Sequence, residues 1–298
     1  MTLRLSFSTG ALYHLPLRTT FALAHEAGFA GVELVYGPEV AQHGAIPIQR
    51  LSQEYSLPVL SVHPSVVPYP GYNRVAHVLP RLVSLAECLD CPLVVLHVPK
   101  VSTLEESRGK KFVEVLLRER ARCSSGLQIA VENAGFYRPS DARFILHNVF
   151  QLRDLADRYD LPVTFDTSHA GTSPYGVLGA YDILRRRVVN VHFSDLRPRR
   201  IRPDWRPLYT ILSHHQMPGE GVLPLAEFVR ALLADGYAGI FTLEVSPTAI
   251  RVWNLAQARQ LLVQAIQFVR QLEAGGKNSP PADPTTDRRV VGLPADNG

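Results

Sequence analysis

Short apolar runs in this chain alternate with longer segments whose apolar residues recur at helical spacing. Residues 3–8 alternate with period two, and residues 17–28 then place apolar side chains every three or four positions. The same order predicts further strands at residues 32–36, 57–63, 93–97, 128–132, 162–166, 188–193 and 239–245, and further helices at residues 46–55, 75–89, 104–123, 144–159, 177–186, 224–235 and 249–273. The pattern therefore predicts eight consecutive strand–helix units.

Eight such units in about 270 residues have the size of a single closed (β/α)8 TIM barrel, an α/β fold. An open, doubly wound sheet is the alternative that the same alternation allows. We favour the barrel because it gathers the carboxyl ends of all strands around one mouth. Residues 1–274 are assigned to the barrel, and residues 275–298, rich in Gly and Pro, are predicted to form a disordered, flexible tail.

Seven of the predicted strands end on, or carry at their ends, a side chain that can bind a metal or move a proton. These residues are Glu33, His63, His97, Glu132, Asp166, His192 and Glu244. Such groups are costly in buried strands unless they are paired or ligating. Because a barrel brings strand ends together, we expect them to converge on one polar site, and the pattern indicates an enzyme.

Four of these residues form the predicted metal site. Carboxylate oxygens and imidazole nitrogens are ligands of hard and borderline divalent cations. Glu132, Asp166, His192 and Glu244 could therefore bind one Mn2+, Zn2+, Mg2+ or Co2+ ion. A structural role, as a helix cap or as a partner of arginine, is the alternative for each carboxylate.

Other residues extend this prediction. Candidates for an additional metal or for substrate are His63, His97, His169 and His215. For each of them an ordinary hydrogen-bonded histidine is the alternative. The D-x-x-H run Asp166-Thr167-Ser168-His169 stands at a strand-to-loop transition and could aim both side chains into one cavity. Asp195 could orient an imidazole or cap a loop.

Charge adds a candidate for phosphate binding. The net charge of +4 is mild and permits an anionic ligand without indicating a nucleic acid. Arginines crowd the loop after the strand that carries His192, and we predict that Arg197 and Arg199 bind a substrate phosphate. A solvated loop is the alternative.

The chain shows neither a stretch of about 18 apolar residues nor a signal peptide, which predicts a cytoplasmic protein without a membrane partner.

Cysteine usage points to no further site. Three cysteines are too few for a disulfide framework. Cys88 and Cys91 form a C-x-x-C, but no second pair completes a structural zinc site. We interpret both as thiols of the hydrophobic core.

Several motifs, in order between about residue 3 and residue 273, resemble the xylose-isomerase-like TIM-barrel superfamily. They are Gly28-Phe29-Ala30-Gly31-Val32-Glu33-Leu34, Val131-Glu132-Asn133, Phe165-Asp166-Thr167-Ser168-His169-Ala170, Val191-His192-Phe193-Ser194-Asp195, Pro218-Gly219-Glu220-Gly221 and Thr242-Leu243-Glu244. That superfamily contains sugar and sugar-phosphate isomerases and epimerases, and also apurinic/apyrimidinic endonucleases of the endonuclease IV type. The resemblance implies a barrel with one of these activities.

In the isomerase and epimerase branch, the resemblance implies one divalent cation held by two glutamates, an aspartate and a histidine. Those positions are Glu132, Asp166, His192 and Glu244. It further implies that Glu132 and Glu244 act as acid and base on opposite faces of a substrate carbon. The metal would polarise a carbonyl or hydroxyl and so acidify the adjacent C–H bond.

In the endonuclease IV branch, the resemblance implies three zinc ions and a larger ligand set. The corresponding positions are His63, His97, Glu132, Asp166, His169, His192, His215 and Glu244. The chain departs from this branch at Ser213, where the branch has an aspartate. The third zinc would then lack a carboxylate ligand.

We therefore expect a metal-dependent isomerase or epimerase of carbohydrate metabolism that acts on a small-molecule sugar or sugar phosphate. A zinc-dependent abasic-site endonuclease, with DNA as its substrate, is the alternative enzyme. A barrel that binds a ligand without turning it over is the third hypothesis, and the complete set of four metal ligands argues against it. The oligomeric state is left open, a homodimer included.

Overall fold

Strands and helices alternate along the chain in the computed structural model, which describes residues 2–65, 74–197 and 212–276. The strands are β1 (Arg4–Ser8), β2 (Gly31–Val35), β3 (Val59–His63), β4 (Leu93–His97), β5 (Gln128–Glu132), β6 (Val163–Asp166), β7 (Val188–Phe193) and β8 (Ile240–Leu243). The helices are α1 (Leu17–Ala27), α2 (Pro38–His43), α3 (Ala45–Glu54), α4 (Val75–Cys88), α5 (Ser107–Arg122), α6 (Val149–Tyr159), α7 (Thr167–Gly171), α8 (Gly176–Leu184), α9 (Leu225–Ala234) and α10 (Leu255–Gly276). Short 3-10 turns cover Thr9–Leu12, Pro139–Arg143, Ile145–His147 and Arg185–Arg187.

The eight strands close into a parallel barrel in chain order. β1 pairs with β8, in a register that runs from Arg4 opposite Ile240 to Phe7 opposite Leu243. An open sheet would leave its two outer strands unpaired, so this pairing confirms the predicted (β/α)8 barrel and excludes the doubly wound alternative. Residues 277–298, most of the predicted tail, lie outside the described residues, and α10 extends through Gly276.

The period of two along each strand decides which side chains enter the barrel. Thr164, Asn190 and Thr242 are fully buried, and they are hydrogen-bonded to one another from β6 to β8. The next side chains of the same parity, towards the carboxyl end of each strand, are Asp166, His192 and Glu244. A polar belt thus lies beneath the charged residues, at the end of the barrel where TIM-barrel enzymes carry their active sites.

Two departures from the predicted elements have local causes. The last helix starts at Leu255 and not at residue 249, because the Asn254 side chain accepts a hydrogen bond from the backbone N–H of Gln257 at 3.1 Å and so caps the helix. The short helices α2 and α7 replace predicted loops. α7 starts directly after Asp166, whose side chain accepts from the backbone N–H of His169 at 2.6 Å.

The outer faces of the strands and the inner faces of the helices share one extended apolar core. Cys91 belongs to this core, but Cys88 is exposed, so the interpretation of both thiols as core residues is wrong for Cys88. Cys88 is the last residue of α4 and lies beyond the buried residues of that helix, which end at Ala86. Among the described residues, no helix combines the length and the apolar character that crossing a membrane requires.

Candidate metal centre

Four polar side chains meet where β5, β6, β7 and β8 end. Glu132 and Asp166 are the last residues of β5 and β6, His192 is the next-to-last residue of β7, and Glu244 directly follows β8. One ligand atom from each side chain lies within 4.8 Å of the corresponding atoms of the other three. The structure therefore brings together the four residues that the sequence predicts as metal ligands.

His192 lies at the centre of this group. Its Nδ1 atom is 2.8 Å from Glu244 Oε2, 3.4 Å from Glu132 Oε1 and 3.9 Å from Asp166 Oδ2. The side chains of His192 and Asp166 are completely buried, and that of Glu244 is 13% exposed. Three carboxylates thus approach one imidazole nitrogen with almost no access for water.

The unpartnered atoms of this group fit a bound cation. Glu132 Oε2, Asp166 Oδ2, His192 Nδ1 and Glu244 Oε2 are buried, and among the described residues none of them makes a well-formed hydrogen bond, although each lies at ion-pair distance from another side chain of the site. Buried polar atoms are normally paired, since leaving one unpaired costs free energy. Three carboxylates and an imidazole are also a donor set that divalent cations accept. The residues present therefore suit one divalent ion.

The charges of the site side chains also favour a bound cation. Burial alone would raise the pKa of Glu132, but neighbouring histidines, His97 first among them, hold that pKa well below its usual value. Burial alone would lower the pKa of His192, but Glu33 and Glu244 raise it well above its usual value. In the metal-free protein, protons on imidazoles would thus balance the carboxylates. A divalent cation would balance the negative charge of the carboxylates in the same way, and its binding would release the protons from the imidazoles.

A second group of possible ligands adjoins the first and shares Glu132 with it. His63 Nε2 lies 3.0 Å from His97 Nε2, and Glu132 Oε2 lies 3.0 Å from His97 Nε2 and 3.6 Å from His63 Nε2. The Nδ1 atom of His63 is 2.7 Å from the carbonyl oxygen of Pro64. Because a carbonyl can only accept, this contact places a proton on Nδ1, so in the neutral imidazole of His63 the lone pair is on Nε2, where a cation beside Glu132 could take it up.

A third group consists of Asp166, His169 and His215, whose ligand atoms also lie within 4.8 Å of one another. The cap on α7 explains the D-x-x-H spacing, because the turn that it closes carries His169 back over Asp166. Burial would lower the pKa of His169, but Asp166 and Glu132 raise it to about 10. All four additional histidine candidates, His63 and His97 included, therefore border the central cluster.

Asn133 joins two strand ends at the site, a role that the sequence does not reveal. Its Nδ2 atom donates to the carbonyl oxygen of Asp166 at 3.0 Å, and its Oδ1 atom accepts from the N–H of Asp166 at 2.7 Å. β5 and β6 are in register over two residue pairs, in which the last two residues of β5, Val131 and Glu132, stand opposite the first two of β6, Val163 and Thr164. Backbone hydrogen bonds join the two strands as far as Asn133 N–H to the carbonyl oxygen of Thr164. The Asn133 side chain continues this ladder by one step and holds the backbone of Asp166 in place.

Replacing Asn133 by alanine should lower the free energy of unfolding by about 3 kcal/mol, because a buried N–H and a buried C=O both lose their partners at roughly 1–3 kcal/mol each. Urea unfolding measures this change. Asn148→Ala is the matched control, since it removes an Asn side chain that caps α6 through Phe150 N, worth about 1 kcal/mol. An Asn133→Ala loss no larger than that of the control would contradict the role.

Asp195 caps a loop, the second of its two predicted roles. Its Oδ2 atom accepts from the N–H groups of Gly219 at 3.1 Å and Gly221 at 2.9 Å, and its Oδ1 atom accepts from Leu223 N at 3.0 Å. A Cβ atom at Gly221 would lie 2.3 Å from Asp195 Oδ1, so only glycine fits there. The Pro-Gly-Glu-Gly motif is therefore a loop folded around one carboxylate.

The predicted phosphate-binding arginines are only partly described. The Nη2 atom of Arg197 is 2.8 Å from Glu220 Oε2, and its Nε donates to the carbonyl oxygen of Glu220 at 2.9 Å. A phosphate bound by Arg197 would compete with this pair. Arg199 lies outside the described residues, as does most of the arginine-rich loop.

Two further residues contact the cluster, Glu33, which the sequence places among the converging strand ends without a role of its own, and Tyr137, which it does not mark at all. Glu33 reaches His192 from the opposite wall of the barrel, with 2.9 Å between Oε2 and Nε2. Tyr137 packs edge-on against the rings of His169 and His214, at centroid distances of 5.9 and 4.8 Å. The end of a predicted strand already marked Glu33, whereas nothing in the sequence distinguishes Tyr137 from other loop aromatics.

Comparison with protein families agrees with this architecture. The family model described as xylose isomerase-like TIM barrel matches residues 21–272 of the chain. An uncharacterized protein from Mycobacterium tuberculosis is 28% identical over 296 residues, an alignment that covers 90% of this chain and 97% of the relative.

Two solved structures have a similar fold. A D-allulose 3-epimerase from Methylomonas sp., crystallised in complex with D-allulose, superposes with a TM-score of 0.66 at 18% identity, covering 90% of this chain and 96% of the epimerase. The IolI protein, whose structure contains a zinc atom, superposes with a TM-score of 0.68 at 17% identity, covering 90% of this chain and 98% of IolI. At such low identity these likenesses establish the fold alone.

Proposed function

Because the chain belongs to the xylose isomerase-like TIM barrel family, we propose that it is a divalent-metal-dependent isomerase or epimerase of a sugar or sugar phosphate. The observation that carries this proposal is the convergence of Glu132, Asp166, His192 and Glu244 at the carboxyl end of the barrel. The D-allulose 3-epimerase, which shares the fold, supports a sugar as the substrate class.

In this proposal the four residues hold the cation through oxygen and nitrogen atoms, a set suited to Mn2+, Zn2+, Mg2+ or Co2+. The zinc atom in the similar IolI structure supports a metal of this class. Such a cation, when bound, polarises a carbonyl or hydroxyl group and acidifies the adjacent C–H bond. The remaining chemistry belongs to side chains of this chain.

Glu132 and Glu244 are the proposed proton carriers. They extend from β5 and β8, on different sides of the barrel, so a substrate carbon between them would be reached from two faces. Neighbouring imidazoles, His97 for Glu132 and His192 for Glu244, lower both pKa values despite burial, which favours ionised carboxylates able to accept a proton. One carboxylate would remove the proton from carbon, and the other would return a proton to the opposite face after taking it up from solvent.

Proton transfer to and from carbon gives a direct test. Metal-loaded protein is incubated in D2O with aldoses, ketoses and their phosphates, and the substrate C–H signals are followed by proton NMR. We expect at least one sugar to exchange a carbon-bound hydrogen for deuterium while a second isomer accumulates. A broad panel without exchange in the presence of Mn2+, Mg2+, Co2+ or Zn2+ would contradict the proposal.

Arg197 tests whether the substrate carries a phosphate. If it does, Arg197→Ala should raise KM for the phosphorylated sugar by about tenfold, because a charge-assisted contact of roughly 1.5 kcal/mol is lost, with little change in kcat. Arg153→Ala, which removes an arginine paired with Asp154 on α6, is the control. An unchanged KM would exclude Arg197 from phosphate binding.

Zinc-dependent cleavage of DNA at abasic sites remains the second candidate. Two observations favour it, namely the His63–His97–Glu132 group and the Asp166–His169–His215 group beside the central cluster. Ser213 weighs against it, because a buried serine stands where a third zinc would need a carboxylate. Two or three zinc ions per chain and salt-sensitive nicking of an abasic duplex would favour this function, whereas an intact duplex with zinc supplied would eliminate it.

A further inference from the structure

Glu33 is a buried carboxylate that belongs to none of the converging ligand groups found among the described residues. Its Oε2 atom is 2.9 Å from His192 Nε2 and 2.9 Å from the hydroxyl oxygen of Ser61. Within the described part of the chain its ionic partner is His192, and no lysine or arginine pairs with it. Burying a carboxylate in the barrel interior costs free energy, so we expect Glu33 to have a function there.

The contacts of Glu33 decide which nitrogen of His192 carries the proton. The Ser61 hydroxyl donates to Oε2, and an ionised carboxylate can only accept hydrogen bonds. His192 must therefore donate from Nε2, which leaves Nδ1 without a proton when the imidazole is neutral. Nδ1 is the atom that faces Glu132, Asp166 and Glu244.

The local sequence fixes Glu33 in this position. The register between β2 and β3 shifts between Val32 and Glu33, an irregularity of the kind that redirects a side chain, and Glu33 then stands opposite Ser61. A Cβ atom at Gly31 would lie 2.6 Å from the carbonyl oxygen of Pro58, so glycine permits the close approach of β3. The Gly31-Val32-Glu33 run therefore serves to place Glu33 within hydrogen-bonding distance of His192.

We propose that Glu33 is a positioning residue that holds His192 as the Nε2–H tautomer, with the Nδ1 lone pair directed at the cation. This inference rests on the metal centre of the proposed function, but not on the identity of the substrate. A carboxylate behind a histidine ligand orients the ring and increases its basicity, and losing such a partner typically weakens metal binding by 10- to 100-fold. Glu33 itself neither binds the metal nor exchanges a proton with substrate.

Cobalt binding to the full-length chain, followed by optical absorption, tests this role through a double-mutant cycle. Glu33→Gln should weaken Co2+ binding by roughly 10- to 100-fold in the wild-type background. In a His192→Ala background the same substitution should change Co2+ affinity by less than about threefold, because Glu33 acts through the histidine. Glu119→Gln is the matched control, since Glu119 is equally buried but pairs with Arg118 and Arg122 on α5.

Equal losses of affinity in both backgrounds would overturn the inference, since they would show Glu33 attracting the cation only by its charge. Unchanged binding by Glu33→Gln would overturn it as well. If Glu33→Gln does not fold, Ser61→Ala supplies the second variant, with a loss of several-fold expected in the wild-type background and none beside His192→Ala. Wild-type protein that binds cobalt but acts on no sugar would refute the proposed function and leave the role of Glu33 intact.

Discussion

Glu244→Gln is expected to lower kcat for sugar interconversion by about 10^3-fold or more. Glutamine preserves the size of the side chain and its position after β8, but it can no longer accept a proton from carbon. Glu244 also lies 2.8 Å from His192 Nδ1, so the substitution removes a negative charge from the cation site. Steady-state kinetics on the sugar found by deuterium exchange, at saturating metal, measures the loss.

Metal content must be determined on the same samples, because a variant without metal would be inactive for a simpler reason. Glu227→Gln is the control, since Glu227 lies on α9, exposed and paired with Arg230, away from the barrel mouth. The control should retain wild-type activity. A Glu244→Gln protein that is metal-loaded and keeps more than a tenth of wild-type kcat would exclude Glu244 as a proton carrier.

Removal of the metal should abolish activity and also lower the free energy of unfolding. A ligand present at 100 times its Kd stabilises the native state by about 2.7 kcal/mol, and chelation removes that contribution. The unpartnered oxygens of Glu132, Asp166 and Glu244 would then face one another and His192 without a cation. Urea unfolding of the chelated and reloaded protein measures the difference.

Chelator already saturated with the metal that the protein carries serves as the control for effects of the chelator itself, and re-addition of Mn2+, Co2+ or Zn2+ should restore both activity and stability. Asn133→Ala offers a comparison, because it destabilises the same strand ends without removing a ligand. Full activity in protein that retains less than a tenth of an equivalent of metal would refute a metal-dependent mechanism.

The barrel and the candidate metal ligands are readable from the sequence because both depend on local periodicity. Each strand alternates inward and outward side chains, so the last inward position of β5, β6 and β7 is readable from the run that precedes it. Glu132, Asp166 and His192 occupy such positions, and Glu244 continues the alternation of β8 by one residue. Closure of the barrel then brings these positions together, whatever their separation along the chain.

The partners of these ligands could not be predicted in the same way. Glu33 and His192 are 159 residues apart and meet across the barrel interior, so their hydrogen bond depends on the shear of the barrel and on a register shift in β2. Asn133 bonds to the backbone of Asp166, and the sequence carries no signal that the backbone ladder between β5 and β6 ends after two residue pairs. Periodicity reveals which side chains point inward, but not which of them will touch.

Anomalous diffraction from crystals loaded with cobalt or zinc tests the central claim most directly. We expect a peak about 2.0–2.2 Å from oxygen atoms of Glu132, Asp166 and Glu244 and from Nδ1 of His192. The Nε2 atom of His192 should face Glu33 in the same map. A cation that is bound elsewhere, with these four side chains left uncoordinated, would contradict the account.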